Sequence, residues 1–196
     1  MNKLIIIIGP SGVGKTTLAR ALCAQHDFAI AYEQHNERPF QTLFKQDVKY
    51  ALANQLDYLL FRAEQEYELR NHDKPALMDG GLDLDFHGFT RLFHLRGWLS
   101  DEEFKLCQRF YSLTRSLLPP PDLVIALSAS AKTISDRLAA RNRINIASSD
   151  DSQTVSRFMN EWLESISQEK IIRLDITQEN INYTDSVPFI LDKIKS

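Results

Sequence analysis

Leu4-Ile5-Ile6-Ile7-Ile8 runs directly into Gly9-Pro10-Ser11-Gly12-Val13-Gly14-Lys15-Thr16-Thr17. An unbroken, largely β-branched apolar run describes a strand buried on both faces, the form taken inside a parallel sheet. The loop behind it has the spacing G-x-x-x-x-G-K-T. Its glycines let backbone N–H groups converge on phosphate oxygens, and the N-terminus of the helix expected over Thr16 to Cys23 adds partial positive charge at the same point. Lys15 is placed to reach β- and γ-phosphates, and the Thr16 hydroxyl to bind Mg²⁺. An ordinary glycine turn would need neither the strand before it nor the helix after it. The order strand, loop, helix therefore assigns Gly9 through Thr17 to a nucleoside triphosphate site, for ATP or GTP.

Working outward, apolar runs at Phe28–Tyr32, Pro75–Met78, Leu123–Leu127 and Ile171–Ile176 predict four more strands. Helical spacing predicts helices over Lys15–Gln25, Val48–Asn71, Phe86–Arg96, Asp101–Leu117, Lys132–Ala140, Thr154–Ser167 and Ser186–Ile194. Residues 36–47, with Pro39, read as a loop holding a short helical piece, and Ile144–Ser152 as a polar connection. Strands alternating with helices make a parallel sheet covered on both faces, whose ligands sit beyond the carboxyl ends of the strands. With 196 residues the chain fits one domain, 1–196.

A net charge of −3 offers no basic excess for a nucleic-acid backbone. Leu4–Ile8 is too short to cross a membrane, and no small-residue cleavage site follows it. Cys23 and Cys107 lack C-x-x-C spacing and read as reduced thiols, buried or half-buried. The expected compartment is the cytoplasm, with neither nucleic acid nor membrane as partner.

Strand ends carry the rest of the chemistry. Glu33 closes the second strand, where a carboxylate could take the proton of an attacking hydroxyl. Asp79 closes the third, the place for a carboxylate beside Mg²⁺, although Asp79-Gly80 is also a turn pair. Arg137, Arg141 and Arg143 follow the fourth strand, as in a lid whose guanidinium groups close on phosphates. A basic helix end also complements the helix dipole. Gln55 and Arg62, seven apart, share a face of the long helix with Asn54 and Asp57 beside it, and a glutamine amide suits a nucleobase edge. Phe158, Trp162 and Ile166 recur at four-residue spacing, as a core contact or the face of a homodimer. His87 and His94 have no metal-ligand spacing and read as surface or packing residues.

These residues, in order along most of the chain, resemble the deoxynucleoside kinase family. The phosphate loop matches, and Glu33 falls at the glutamate of the family's E-P pair. Pro39-Phe40 to Asp47 resembles its N-P-Y…D segment, and Gln55 with Arg62 its Q-x6-R helix. Asp85 and Phe89 fall at its arginine-pairing aspartate and base-stacking phenylalanine. Gly97–Phe104, Pro121–Ile125 and Arg137-x3-Arg141-x-Arg143 match further stretches. The resemblance implies a three-layer α/β P-loop kinase fold, with a five-stranded parallel sheet and a lid at about 137–152. It implies ATP- and Mg²⁺-dependent transfer to the 5′-hydroxyl of a nucleoside acceptor. Lys15 and the loop would hold the donor, Thr16 and Asp79 the metal; Glu33 would be the base and the lid arginines would stabilise transfer. Gln55, Arg62, Asp85 and Phe89 would bind the nucleobase.

Two departures stand out. Asp79-Gly80-Gly81 replaces the family's acid-Arg-Ser, removing an arginine that contacts phosphates and links the glutamate to the substrate. Ile144-Asn145-Ile146 stands where a lid glutamate would hold the sugar 3′-hydroxyl, and Asn142 replaces a lid glycine. A nucleoside monophosphate kinase such as thymidylate kinase shares the loop, P-D-L strand and lid, but needs an arginine near Gly80. A non-catalytic nucleotide-binding module would tolerate both departures.

Overall fold

The computed structural model describes residues 2–33, 37–139, 149–180 and 182–195. Five strands, β1 (Leu4–Ile8), β2 (Ala29–Ala31), β3 (Ala76–Asp79), β4 (Leu123–Ser128) and β5 (Ile171–Asp175), form one parallel sheet in the order β2-β3-β1-β4-β5. β1 is central and buried throughout, with Ile6 opposite Met78 on one side and Val124 on the other. The Asp122 carboxylate fixes the entry to the β1–β4 pair by accepting the Leu4 N–H at 2.8 Å.

Period-two alternation divides β1 between two cores. Ile5 and Ile7 face a cluster with Leu18 and Leu22 of α1 (Lys15–Cys23) and with Val187 and Ile190 of α8 (Ser186–Lys195). Leu4, Ile6 and Ile8 face the other way, onto Leu69 of α3 (Ala51–Arg70) and Val155, Met159 and Trp162 of α7 (Ser149–Glu164). Two helical layers on one sheet give the three-layer α/β fold expected. A third cluster joins α3 to α4 (Arg91–Leu95) and α5 (Asp101–Leu117) through Leu59, Phe86, Phe93, Leu99 and Cys107. The start of α5 is set by Ser100 and Glu103. The Ser100 hydroxyl accepts the Glu103 N–H, and the Glu103 carboxylate accepts the Ser100 N–H.

Several boundaries differ from the sequence expectations. Val48–Tyr50 is a 3₁₀ turn before α3, while α2 (Pro39–Gln46) is longer than a short helical piece. Leu84–Thr90 is π-helical rather than α-helical. The Thr90 hydroxyl donates to the carbonyl of Asp85, five residues back, at 3.0 Å, which supports the wider turn. Ser149–Ser152, expected in the polar connection, already belongs to α7. Phe158 and Trp162 are buried and Ile166 packs on the cluster that holds Trp162, so that stripe is core and not a dimer face. Cys23 is half-buried and Cys107 buried, and both are free thiols. Among the described residues no helix is long and apolar enough to cross a membrane.

Candidate active site

Gly9 leaves β1 with φ 148°, and a Cβ there would lie 2.6 Å from the carbonyl oxygen of Leu127, so glycine is required. The loop ends at Gly14, the N-cap of α1, where no side chain caps the first turn. The free N–H groups of that turn are an anion site by construction. Two carbonyls at the end of the loop are held by side chains from distant elements. Arg137 of α6 (Ala131–Ala139) donates to the Val13 carbonyl at 2.5 Å, and the Tyr183 hydroxyl donates to the Gly14 carbonyl at 3.3 Å. Lys15 is buried, with Nζ 3.2 Å from the carbonyl of Gly9 and 3.4 Å from that of Pro10. It thus lies folded over the loop that a phosphate would occupy.

β3 lies beside β1, so its last residue, Asp79, meets the first turn of α1. The Thr16 hydroxyl donates to Asp79 Oδ2 at 2.5 Å, while Asp79 Oδ1 is buried without a partner. Burial pushes the Asp79 carboxyl above its usual range, against the pull of Lys15 and Thr16. An open carboxylate oxygen beside a hydroxyl is a hard-oxygen set that fits Mg²⁺, which keeps waters and takes phosphate oxygens for its remaining positions. Among the described residues there is no cluster of three or more His, Cys, Asp or Glu side chains that could hold a metal.

Glu33 lies just past β2 on the other side of β3, exposed to the cleft. Its charge is felt by Asp79, Asp85, Arg62 and Tyr58. Arg62 is 4% exposed; its Nε donates to Asp85 Oδ2 at 2.9 Å and its Nη1 to Gln65 at 3.0 Å. Burial opposes the Arg62 charge, yet Asp85 outweighs it and holds the guanidinium protonated. The Gln55 side-chain amide lies 3.0 Å from the Thr90 hydroxyl, which with the Arg62–Asp85 pair ties both ends of the Gln55–Arg62 face to the π-helical segment. Phe89, half-buried, rests on the cluster of Leu84 and Val155. The structure thus brings together Lys15, Thr16, Asp79, Glu33, Gln55, Arg62 and Asp85, while Phe89 packs on the Leu84 cluster, four residues on from Asp85. It places Arg137 behind the loop; Arg141 and Arg143, and most of the expected lid, lie outside the described residues.

Other members of the cleft gave weaker signals or none. Tyr58 lies between Arg62 and Arg38, and burial pushes its hydroxyl up to about 12. Helical spacing from Arg62 could have found it. Arg38 grips Asp57 with two hydrogen bonds, of 2.5 and 2.6 Å, and lies over the Phe61 ring. The π-helical segment is also anchored from behind. Arg115 of α5 bridges Asp83 and Glu66, with Nη2 2.8 Å from Asp83 and Nη1 2.8 Å from Glu66, while Tyr111 donates to Asp83 at 2.7 Å. Glu66 is fully buried and also takes Arg70 at 3.0 Å, so no charge in this network is left unpaired. Tyr183, whose φ is 51°, lies far from the loop in sequence and had no signal at all.

Comparison with known proteins identifies the family. The family model described as deoxynucleoside kinase fits residues 5–196. The chain belongs to the deoxynucleoside kinase family. A deoxyguanosine kinase of Bacillus subtilis (strain 168) is 26% identical over 144 residues, covering 71% of this chain and 67% of that protein. A deoxyadenosine/deoxycytidine kinase of the same strain is 22% identical over 202 residues, covering 100% of this chain and 93% of the other. The deoxyadenosine kinase of M. mycoides, solved with dCMP and a flexible dCDP, shares the fold at a TM-score of 0.80, with 21% identity over 98% of each chain. The same kinase with dATP bound gives a TM-score of 0.79. The protein is therefore a phosphotransferase of the deoxynucleoside kinase family, acting on nucleosides.

Proposed function

We propose that this deoxynucleoside kinase transfers the γ-phosphoryl group of ATP, with Mg²⁺, to the 5′-hydroxyl of a deoxynucleoside. The observation that carries the reading is the convergence of Lys15, Thr16, Asp79 and Glu33 at the ends of three adjacent strands, β1, β3 and β2. Lys15 releases the Gly9 and Pro10 carbonyls and turns to the phosphates, while the loop N–H groups take their oxygens. Thr16 and Asp79 hold the metal, which when bound offsets phosphate charge. Glu33 accepts the proton of the 5′-hydroxyl as that oxygen attacks, and Arg62, Asp85, Gln55 and Phe89 hold the base so that the hydroxyl points at Glu33. Arg141 and Arg143 supply positive charge as the phosphoryl group transfers, while Arg137 braces the loop through the Val13 carbonyl.

The relatives named for deoxyadenosine, deoxycytidine and deoxyguanosine support acceptors among these nucleosides. The reading is tested by supplying labelled ATP with each deoxynucleoside and each monophosphate. Glu33→Gln should lower kcat by roughly 10²- to 10⁴-fold while ATP still binds; full turnover by this variant would sink the general-base role. Monophosphate turnover instead would move the protein to the monophosphate kinases.

The reading extends to a homodimer. Leu106, Leu113 and Leu117 form an exposed stripe on α5, next to exposed Leu60 and Tyr67 on α3. Apolar faces of this kind on two packed helices suit a second copy of the chain.

A further inference from the structure

Four buried side-chain polar atoms of the described residues lack a hydrogen-bond partner: His26 Nδ1, Asn54 Oδ1, Asp79 Oδ1 and Glu179 Oε1. Asp79 Oδ1 lies at the expected metal position. Asn54 is the one on the acceptor side. It is 3% exposed and lies in the first turns of α3. Asn54, Tyr58 and Arg62 recur at i, i+4 and i+8, so they form one stripe of the helix, with Gln55 alongside. Arg62, at one end of the stripe, pairs with Asp85 at 2.9 Å, and Gln55 beside it meets Thr90 at 3.0 Å, so the stripe borders the acceptor side of the cleft. The apolar face of α3 points elsewhere, with Leu52, Leu56 and Leu59 in the cluster of Phe93 and Trp98.

Nothing about folding calls for asparagine at this position. It is a poor helix former, and an unpartnered amide oxygen in the interior is destabilising, whereas leucine of similar size would pack without that cost. We infer that Asn54 is a specificity-determining residue of the acceptor site, whose amide oxygen accepts a hydrogen bond from the bound nucleoside. This deepens, and rests on, the nucleoside-kinase reading above. The donor is an exocyclic amino group of the base or a sugar hydroxyl. Adenine, cytosine and guanine, the bases in the relatives' names, all carry the amino group.

The test is a cycle between protein and acceptor. Wild type, Asn54→Leu and, as a smaller alternative, Asn54→Ala are assayed with labelled ATP. The acceptors are the fastest deoxynucleoside, its analogue lacking the exocyclic amino group and its 2′,3′-dideoxy analogue. Wild type should favour the full nucleoside over one analogue by about 10-fold in kcat/KM, the size of one hydrogen bond left unmade at a buried acceptor. In both variants that ratio should fall to about 1, while the ratio for the other analogue holds. Collapse in the amino arm assigns the base, and collapse in the dideoxy arm assigns the sugar. Equal ratios in wild type and variants for both analogues overturn the inference, because a residue that only packed would lower every acceptor alike. A wild type that phosphorylates no nucleoside overturns the kinase reading and this inference with it.

Discussion

Asp79→Asn separates what the fold prefers from what the chemistry needs. The residue is fully buried, one carboxylate oxygen takes the Thr16 hydroxyl and the other has no partner. Burial is the largest influence on the carboxyl and raises its pKa from 3.8, so the ionised form is held at a cost. An unpartnered buried polar atom costs about 1–3 kcal/mol, and more when charged. The amide keeps the shape and the Thr16 contact and drops the charge; set against it is the loss of a counter-ion for Lys15. A net gain of about 1 kcal/mol is expected without nucleotide, or roughly 2–4 °C in Tm for a chain of this size.

The sign also fixes the pH dependence. A carboxyl with a raised folded pKa costs stability as pH climbs from the ordinary value to the raised one. The advantage of Asp79→Asn should therefore be full at neutral pH and fade towards about pH 4, where both side chains are neutral. Ligand reverses the order. ATP with Mg²⁺ at about 100 times its Kd should stabilise wild type by about 2.7 kcal/mol, and the variant only by the share that ATP gives with chelator present. Thermal melts with ATP, ATP plus Mg²⁺ and ATP plus chelator read both effects. A variant that melts below wild type without nucleotide, yet gains as much from Mg²⁺, would refute the reasoning.

Four further outcomes follow from other parts of the molecule. Tyr183→Phe frees the Gly14 carbonyl and should raise the KM for ATP by about 5-fold, with the acceptor KM unchanged. Gly14→Ala puts a Cβ 2.5 Å from the Tyr183 hydroxyl, so its melting loss should be smaller in a Tyr183→Phe background, although strain at φ 116° remains. His87 is held at about 4 by burial and by Arg91 and Arg115, so the folded state resists its proton. Stability is full above the ordinary value near 6.5 and lost as pH falls, about 2 kcal/mol by pH 5; urea titrations of wild type and His87→Phe should show that slope only in wild type. Leu113→Asp, on the exposed stripe of α5, should halve the mass seen by sedimentation while leaving the melt within a few degrees.

The strands were legible as apolar runs because a parallel sheet covered by helices buries β1 and β3 throughout and much of β4. Lys15, Thr16 and Asp79 were legible for the same reason, since topology alone sends strand ends to one edge. Tertiary effects hid the rest. The π-helical turn at Leu84–Thr90 depends on where Thr90 and Asp83 find partners, on their own carbonyls and on Arg115 of a distant helix. No periodicity records that. Tyr183 reaches Gly14 across most of the chain's length. The stripe Phe158–Ile166 had the spacing of either a core or an interface, and only the neighbouring sheet decides for core.

Gly80 leaves the charge balance of the site to the cations that remain. With the arginine of the acid-Arg-Ser pattern gone, Asp79 and Glu33 have less compensating positive charge. Yet a Cβ on Gly80 would sit 3.4 Å from Nη2 of Arg62, so that guanidinium lies against the turn. Asp79 and Glu33 both interact with it. Arg62 thus has two separable properties, a forked geometry used on Asp85 and Gln65 and a charge used on the carboxylates around the phosphate. Arg62→Lys keeps the charge and loses the fork; Arg62→Met loses both. Acceptor KM should rise in each, by about 10-fold, because Asp85 loses its aligned partner. The kcat should fall by a further factor of about 10 only in Arg62→Met, where Glu33 and Asp79 face each other uncompensated. Equal kcat values in the two variants would mean that the charge of Arg62 does not reach the reacting groups, and that the departure at Gly80 is met by some other cation.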